Sequence, residues 1–147
     1  MSIGRSQSGV LLDTCAVIWL ANGDPMAPDA LAAIQHAGGD GGVFVSPISA
    51  WEVGLLSRPR PPRRPAVSFL PDVRTWFSRF MAAPGIRDAP LLAEIAIASA
   101  DLPGDLHGDP ADRMIVATAR HFAMPIVTRD RRILAYGQAG HVGTIAC

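Results

Sequence analysis

Four acidic residues carry the chemistry open to this chain: Asp13, Glu52, Asp112 and Asp130. Asp13 ends the apolar run Val10-Leu11-Leu12, and Asp130 follows Ile126-Val127-Thr128. Asp112 opens the helix-like stretch Asp112-Arg113-Met114-Ile115-Val116-Ala117. Glu52 interrupts the apolar segment from Ile48 to Leu56. Acids at strand ends and helix starts can converge on one point of an α/β fold. Two carboxylates about 4 Å apart repel by about 4 kcal/mol at an effective dielectric near 20, so a converged set stays ionised only with a cation. Oxygen donors without Cys or His select Mg²⁺ or Mn²⁺. Such ions activate water and steady charge on a leaving oxygen, which is the chemistry of phosphoryl transfer.

Each acid also has a competing structural role. Asp13 and Asp130 suit helix N-caps. Asp112, in a first turn, is favoured by the helix dipole and can share a capping arrangement with Asp109. Glu52 is one of only two Glu in the chain. Helical spacing puts Ile48, Leu55 and Leu56 on its face, an apolar stripe in which a carboxylate is costly unless paired or metal-bound. The structural alternative there is a buried ion pair with an Arg.

The elements that must position these acids follow from periodicity and breakers. Val10–Asp13, Val43–Ser46, Ile86–Asp88, Pro125–Thr128 and Val142–Ala146 read as short strands. Helices are predicted over Thr14–Ala21, Pro28–Ala37, Pro47–Ser57, Ser68–Met81, Pro90–Ala100, Asp109–Ala123 and Asp130–Tyr136. Pro28, Pro47, Pro71 and Pro110 fall in first turns, where a missing N–H costs nothing. Thr14–Ala21 is apolar all round, which predicts a buried helix. Arg58–Pro65 holds four prolines in eight residues and cannot be helical. Apolar strands alternating with helices predict an α/β fold, a three-layer α/β/α sandwich around a short central parallel sheet. In such sheets the ligand site lies beyond the carboxyl ends of the strands. Asp13 and Asp130 fall on that edge. Glu52 and Asp112 sit on helices able to lean over it.

The 147 residues suggest one domain over residues 10–147, preceded by a flexible polar segment at residues 1–9. The 49% hydrophobic content is enough for a core, and no apolar run reaches the roughly 18 residues of a membrane span. With no signal-peptide pattern, a cytoplasmic protein without membrane attachment is the expectation. Cys15 and Cys147 are the only cysteines, too few for a disulfide framework or a zinc site, and read as reduced thiols. Formal net charge is zero, yet all 13 basic residues are Arg. Arg58, Arg60, Arg63 and Arg64 cluster in the Pro-rich loop, and Arg129, Arg131 and Arg132 flank Asp130. Either group suits phosphate contacts, while genome composition and a solvated surface are the plain alternatives. The absence of lysine removes the Walker P-loop and the phosphatases and response regulators that pair a strand-end Asp with a Lys.

In order and spacing the acidic segments resemble those of PIN-domain ribonucleases, particularly the VapC-type toxins of bacterial type II toxin–antitoxin pairs. The segments are Leu12-Asp13-Thr14, Ser46-Pro47-Ile48-Ser49-Ala50-Trp51-Glu52-Val53, His107-Gly108-Asp109-Pro110-Ala111-Asp112-Arg113-Met114-Ile115 and Val127-Thr128-Arg129-Asp130. The resemblance spans Val10 to Cys147. It implies a magnesium-dependent endoribonuclease held by a cognate antitoxin. It makes Asp13 and Asp112 the principal magnesium ligands, Asp130 an added ligand, and Glu52 a ligand or water orienter. Thr14 and Thr128 would then support the ligands from behind. An antitoxin tail is expected to insert an Arg among the carboxylates. Relatives often carry an acid or aromatic three residues after the Asp130 position, and here that residue is Ile133, which leaves a second metal open.

Two other readings stand beside this one. The chain is alternatively a catalytically inactive PIN-like module binding RNA or protein, or a DNA-directed or flap-type nuclease, for which it is short. Apolar positions on the second and fourth predicted helices suit a homodimer face, although composition does not separate interface from core.

Overall fold

Five three-residue strands and seven helices alternate along the chain in the computed structural model, which describes residues 9–147. The segment expected to be flexible lies, Gly9 apart, outside the described residues. In order the elements are β1 (Val10–Leu12), α1 (Thr14–Asn22), α2 (Pro28–Gly39), β2 (Val43–Val45), α3 (Pro47–Leu56) and α4 (Val73–Met81). Then follow β3 (Ile86–Asp88), α5 (Ala93–Ser99), α6 (Pro110–Phe122), β4 (Ile126–Thr128), α7 (Arg131–Gln138) and β5 (Thr144–Ala146). All strand pairs are parallel, in the order β3-β2-β1-β4-β5. The order reverses between β1 and β4, where Leu11 pairs with Ile126 and Leu12 with Val127. That switch point opens a crevice at the carboxyl edge.

Alternation along the strands separates the two faces of the sheet. Val10, Leu12, Val43, Val45 and Val127 pack with Ala16, Val17, Ala30, Ile34 and Phe80 from α1, α2 and α4. Leu11 and Ile126 point the other way, onto Ile115, Val116 and Ala119 of α6 and Ile133 and Tyr136 of α7. The result is the three-layer α/β/α sandwich expected from the sequence. Full burial of Leu11, Leu12, Ile115, Ile126 and Ile133 stabilises the fold by about 1.5–3 kcal/mol per side chain. Helix α3 bridges the layers at the carboxyl edge, touching both α1 and α6. Among the described residues no helix is long and apolar enough to cross a membrane.

Several expectations need correction. Helix α1 is not buried all round: Cys15 and Ala21 are exposed, because its apolar circumference meets the sheet on one side only. Helix α4 starts at Val73 rather than Ser68, since Asp72 takes the N-cap and accepts from Thr75 N at 2.8 Å. Helix α5 starts at Ala93 rather than Pro90. Helix α2 runs through Gly38 and Gly39 and stops at Asp40. On the second and fourth helices Ala30, Ile34, Ala37 and Phe80 are buried in the core, while Leu31, Trp76, Phe77 and Met81 pack against them and stay partly exposed.

Candidate active site

Asp13 and Asp130 follow the two strands that meet at the switch point, and both do serve as N-caps. Asp13 Oδ1 accepts from Ala16 N at 2.8 Å, starting α1. Asp130 Oδ1 accepts from Arg132 N at 2.8 Å and Ile133 N at 3.1 Å, starting α7. Capping does not exhaust either carboxylate. Asp13 Oδ2 accepts from the buried Thr128 hydroxyl at 2.5 Å, and Thr128 Oγ1 in turn accepts from Asp130 N at 3.0 Å. One threonine therefore ties together the two acids of β1 and β4. Burial pushes the Asp13 carboxyl above its ordinary value, against the lowering effect of the Thr128 and Ala16 hydrogen bonds.

Glu52 is not where the helical stripe placed it. The core side of α3 is Ser49 and Val53, while Leu55 on the expected stripe is 43% exposed. Among the described residues no Arg lies within ion-pair distance of an Asp or Glu side chain, so the buried Arg pair is absent there. The Thr14 hydroxyl donates to Glu52 Oε1 instead. With its one proton so used, Thr14 Oγ1 accepts from the buried Ser49 hydroxyl at 3.0 Å. Desolvation raises the Glu52 carboxyl, offset by Thr14 and reinforced by Asp109 and Asp13.

Asp112 leaves capping to Asp109, whose Oδ1 accepts from Ala111 N at 3.0 Å. Burial pushes the Asp112 carboxyl up to about 7. The charges of Asp109, Asp130, Glu52 and Asp13 all push the same way.

All four acids line one cleft of about 300 Å³, together with Thr14, Cys15, Trp19 and Arg129. A larger cavity of about 450 Å³, around Arg120, Pro125 and His141, lies at the opposite, amino edge of β4 and β5 and contains no carboxylate. Of the Arg groups only Arg129 enters the acidic cleft. Its guanidinium stacks 3.7 Å above the Trp19 ring, and its Nε donates to Cys147 O at 3.2 Å. Arg131 and Arg132 are exposed in the first turn of α7 and do not line the cleft. The Arg58–Arg64 segment forms a turn closed by pairing between Arg60 and Arg64, outside the cleft. Arg58, Arg63 and Arg64 are exposed, but Arg60 is half-buried and donates to Pro65 O at 3.4 Å. Ile133, at the position where relatives often carry an acid, is fully buried in the core and faces away from the site's chemistry.

The cleft also holds Trp19 and Cys15, which the sequence did not single out, and beside it stands His107, named there only within the segment that carries Asp112 and given no role. His107 Nε2 lies 3.2 Å from Asp112 Oδ2, and His107, Asp112 and Asp130 bring donor atoms within 4.8 Å of one another. The available signal was position: His107 stands two residues before the N-cap of the helix that carries Asp112. Cys15 and Cys147 are free thiols; although the Cys15 residue is exposed overall, partial desolvation of its thiol against the cleft, with the charges of Asp13, Glu52 and Asp112, drives it to about 11, which makes it a poor thiolate ligand.

The donor set fits a hard divalent cation. It offers carboxylate oxygens, three of them on acids that burial and mutual repulsion hold above their ordinary range, with one guanidinium as the local cation.

Comparison with known proteins agrees with this geometry. The PIN domain family model matches residues 10–138. "Ribonuclease VapC22" of Mycobacterium tuberculosis is 30% identical over 128 residues, covering 86% of this chain and 91% of the relative. In fold, the chain is similar to VapBC2 from Rickettsia felis, solved bound to a DNA fragment from its promoter, with TM-score 0.64, 13% identity, and 94% and 98% of the two chains covered. It is likewise similar to DNA-bound VapBC from Salmonella typhimurium, with TM-score 0.63, 16% identity, and 94% and 97% covered. With the acids gathered at the switch point of a 3-2-1-4-5 parallel sheet and the family model matching nearly the whole chain, the protein belongs to the PIN-domain family and is VapC-like.

Proposed function

We propose that this chain is an endoribonuclease that depends on Mg²⁺, with Mn²⁺ able to replace it, and that a cognate antitoxin holds it inactive. The observation that carries this reading is the convergence of Asp13, Glu52, Asp112 and Asp130 in one cleft, with Asp112 raised to about 7 by burial and its acidic neighbours. The domain responsible is taken as residues 10–147.

In this reading Asp13 and Asp112 are the principal metal ligands, Asp130 adds a third carboxylate, and Glu52 binds the ion or orients the attacking water. When bound, the ion would offset charge on the reacting phosphodiester and make water a better nucleophile. Thr128 holds Asp13, and Thr14 holds Glu52, so neither carboxylate must reorganise on binding. Arg129, kept in place by Trp19 and Cys147 O, suits an RNA phosphate oxygen at the cleft mouth. Arg131 and Arg132 beside it, and Arg58, Arg63 and Arg64 at a distance, extend the backbone contacts. Arg60 contributes less, since its guanidinium is engaged with Pro65 O.

The antitoxin is assigned to the same cleft, with a basic side chain reaching the carboxylates. A homodimer completes the proposed assembly; Trp51, Leu55, Leu70 and Ile97 supply exposed apolar surface for it. The test is cleavage of an RNA pool by purified protein, with Mg²⁺, with chelator, and with Asp13→Asn. Metal-dependent cleavage that Asp13→Asn abolishes is expected. RNA binding without cleavage under every metal condition would instead identify a binding module.

A further inference from the structure

The loop that joins α5 to α6 brings His107 beside Asp112 at the acidic cleft, and it is held from both sides. Arg113 Nε donates to Ser99 O at 2.9 Å, and its Nη1 donates to Leu106 O at 3.1 Å. Across the loop the Tyr136 hydroxyl donates to Pro103 O. Leu102 and Leu106 pack against the core beneath α6 and α7. Gly104 takes φ 72°, and a Cβ there would collide with the His141 ring, so the loop lies close on its neighbour. A segment pinned at Ser99, Pro103 and Leu106 fixes where His107 stands.

The hydrogen bonding of the ring then fixes what His107 can do. Asp109 N donates to His107 Nδ1 at 3.3 Å. A backbone N–H has one proton to give, so Nδ1 must present its lone pair, and the neutral ring carries its proton on Nε2. Nε2 is shielded from solvent and has no aligned acceptor, with Asp112 Oδ2 standing 3.2 Å away. An Nε2–H donated to the Asp112 carboxylate would satisfy a buried donor that is otherwise costly. The same tautomer argues against His107 as a metal ligand, although its donor atom is within 4.8 Å of those of Asp112 and Asp130. Coordination through Nε2 needs the lone pair there, and would set an Nδ1–H against the Asp109 N–H.

We propose that His107 is a positioning residue: its Nε2–H grips Asp112 Oδ2 and aims the other carboxylate oxygen into the cleft, where a divalent cation binds. This role rests on the metal-centre reading given above. It would make Asp112 the counterpart of Asp13, whose carboxylate is held by the Thr128 hydroxyl. Hydrogen-bond partners behind metal ligands of this kind typically change affinity by about 10- to 100-fold.

The test uses the full chain as wild type, His107→Ala and His107→Gln, with Mn²⁺ affinity measured by calorimetry and folding checked by circular dichroism. His107→Ala is expected to stay folded and to bind Mn²⁺ about 10- to 100-fold more weakly. His107→Gln, which keeps a donor near the Nε2 position, recovers most of the loss. Long-range nitrogen–proton NMR of the wild-type ring should show the proton on Nε2 both before and after a diamagnetic ion, Mg²⁺, is added. A ring that moves its proton to Nδ1 on adding Mg²⁺ would overturn the role in favour of direct ligation. Unaltered Mn²⁺ affinity in His107→Ala would overturn it outright. Wild-type protein that binds no divalent ion would bring down the metal centre itself, an outcome distinct from either.

Discussion

Thr128 Oγ1 lies 2.5 Å from Asp13 Oδ2, joining two residues 115 positions apart across the β1–β4 seam. The hydroxyl is fully buried and also accepts from Asp130 N. Thr128→Val keeps the shape and removes both hydrogen bonds. It should cost about 1–3 kcal/mol in urea unfolding and weaken Mn²⁺ binding, while Thr128→Ser restores both. An unfolding midpoint and a Mn²⁺ affinity equal to wild type would show that the hydroxyl does not organise the site.

The raised carboxyls give the metal-free protein an unusual pH dependence. Asp112 titrates near 7 when folded and near its ordinary 3.8 when unfolded, so the folded state binds more protons between those values. Its stabilising contribution is complete below about pH 4 and is lost as pH rises towards 7. Asp13 and Glu52 act in the same direction. Asp112→Asn should therefore stabilise the metal-free protein at pH 8 by about 1–2 kcal/mol, a figure reduced for the partial exposure of the carboxylate, and flatten the slope between pH 5 and 8. Urea titrations with chelator at the two pH values measure it. A slope identical to wild type would mean that Asp112 is not strained in the fold.

Asp13→Asn separates capping from chemistry. Asn caps a helix as well as Asp does, and the Ala16 N–H keeps its acceptor. Folding should persist, while RNA cleavage falls by at least about 100-fold through lost metal stabilisation of the reacting phosphate. Unfolding of the variant, seen as loss of its thermal transition, would show instead that the charge itself supports α1.

Three exposed guanidiniums in the Pro-rich turn, Arg58, Arg63 and Arg64, are expected to meet RNA phosphates. Replacing all three with Ser should flatten the log–log salt dependence of RNA binding by about 2, at about 0.7 per contact on a single strand. The cleavage sequence should not change, because phosphate contacts position and base contacts specify. Filter binding over a range of salt concentrations measures the slope, and an unchanged slope would leave the turn as plain solvated surface.

Antitoxin binding should compete with Mg²⁺ if a basic side chain enters the cleft. Glu52→Gln and Asp130→Asn remove charge there and should each weaken the complex, read by calorimetry at two Mg²⁺ concentrations. A complex indifferent to the ion and to both substitutions would place the inhibitor elsewhere.

Much of this protein is written locally in its sequence. Short runs rich in apolar and β-branched residues, such as Val10-Leu11-Leu12 and Ile126-Val127-Thr128, favour strands covered on both faces, and Pro47 and Pro110 mark helix starts through the N–H they lack. Acids directly after two strands already point to the carboxyl edge of a parallel sheet. What the sequence left undecided is which polar atoms meet. Periodicity reports the face of a residue relative to its own helix, so it placed Glu52 in an apolar stripe whose Leu55 proves exposed. The pairings of Thr14 with Glu52 and of Thr128 with Asp13 depend on strand order and on how α3 crosses the edge of the sheet. Those crossings are set by long-range packing of the two core faces, which no local spacing encodes. The sequence thus determined the acids and the edge on which they stand. Only the tertiary fold decided their partners, because a hydrogen bond requires atoms to meet within about 3 Å, and β1 meets β4 only once the sheet has assembled.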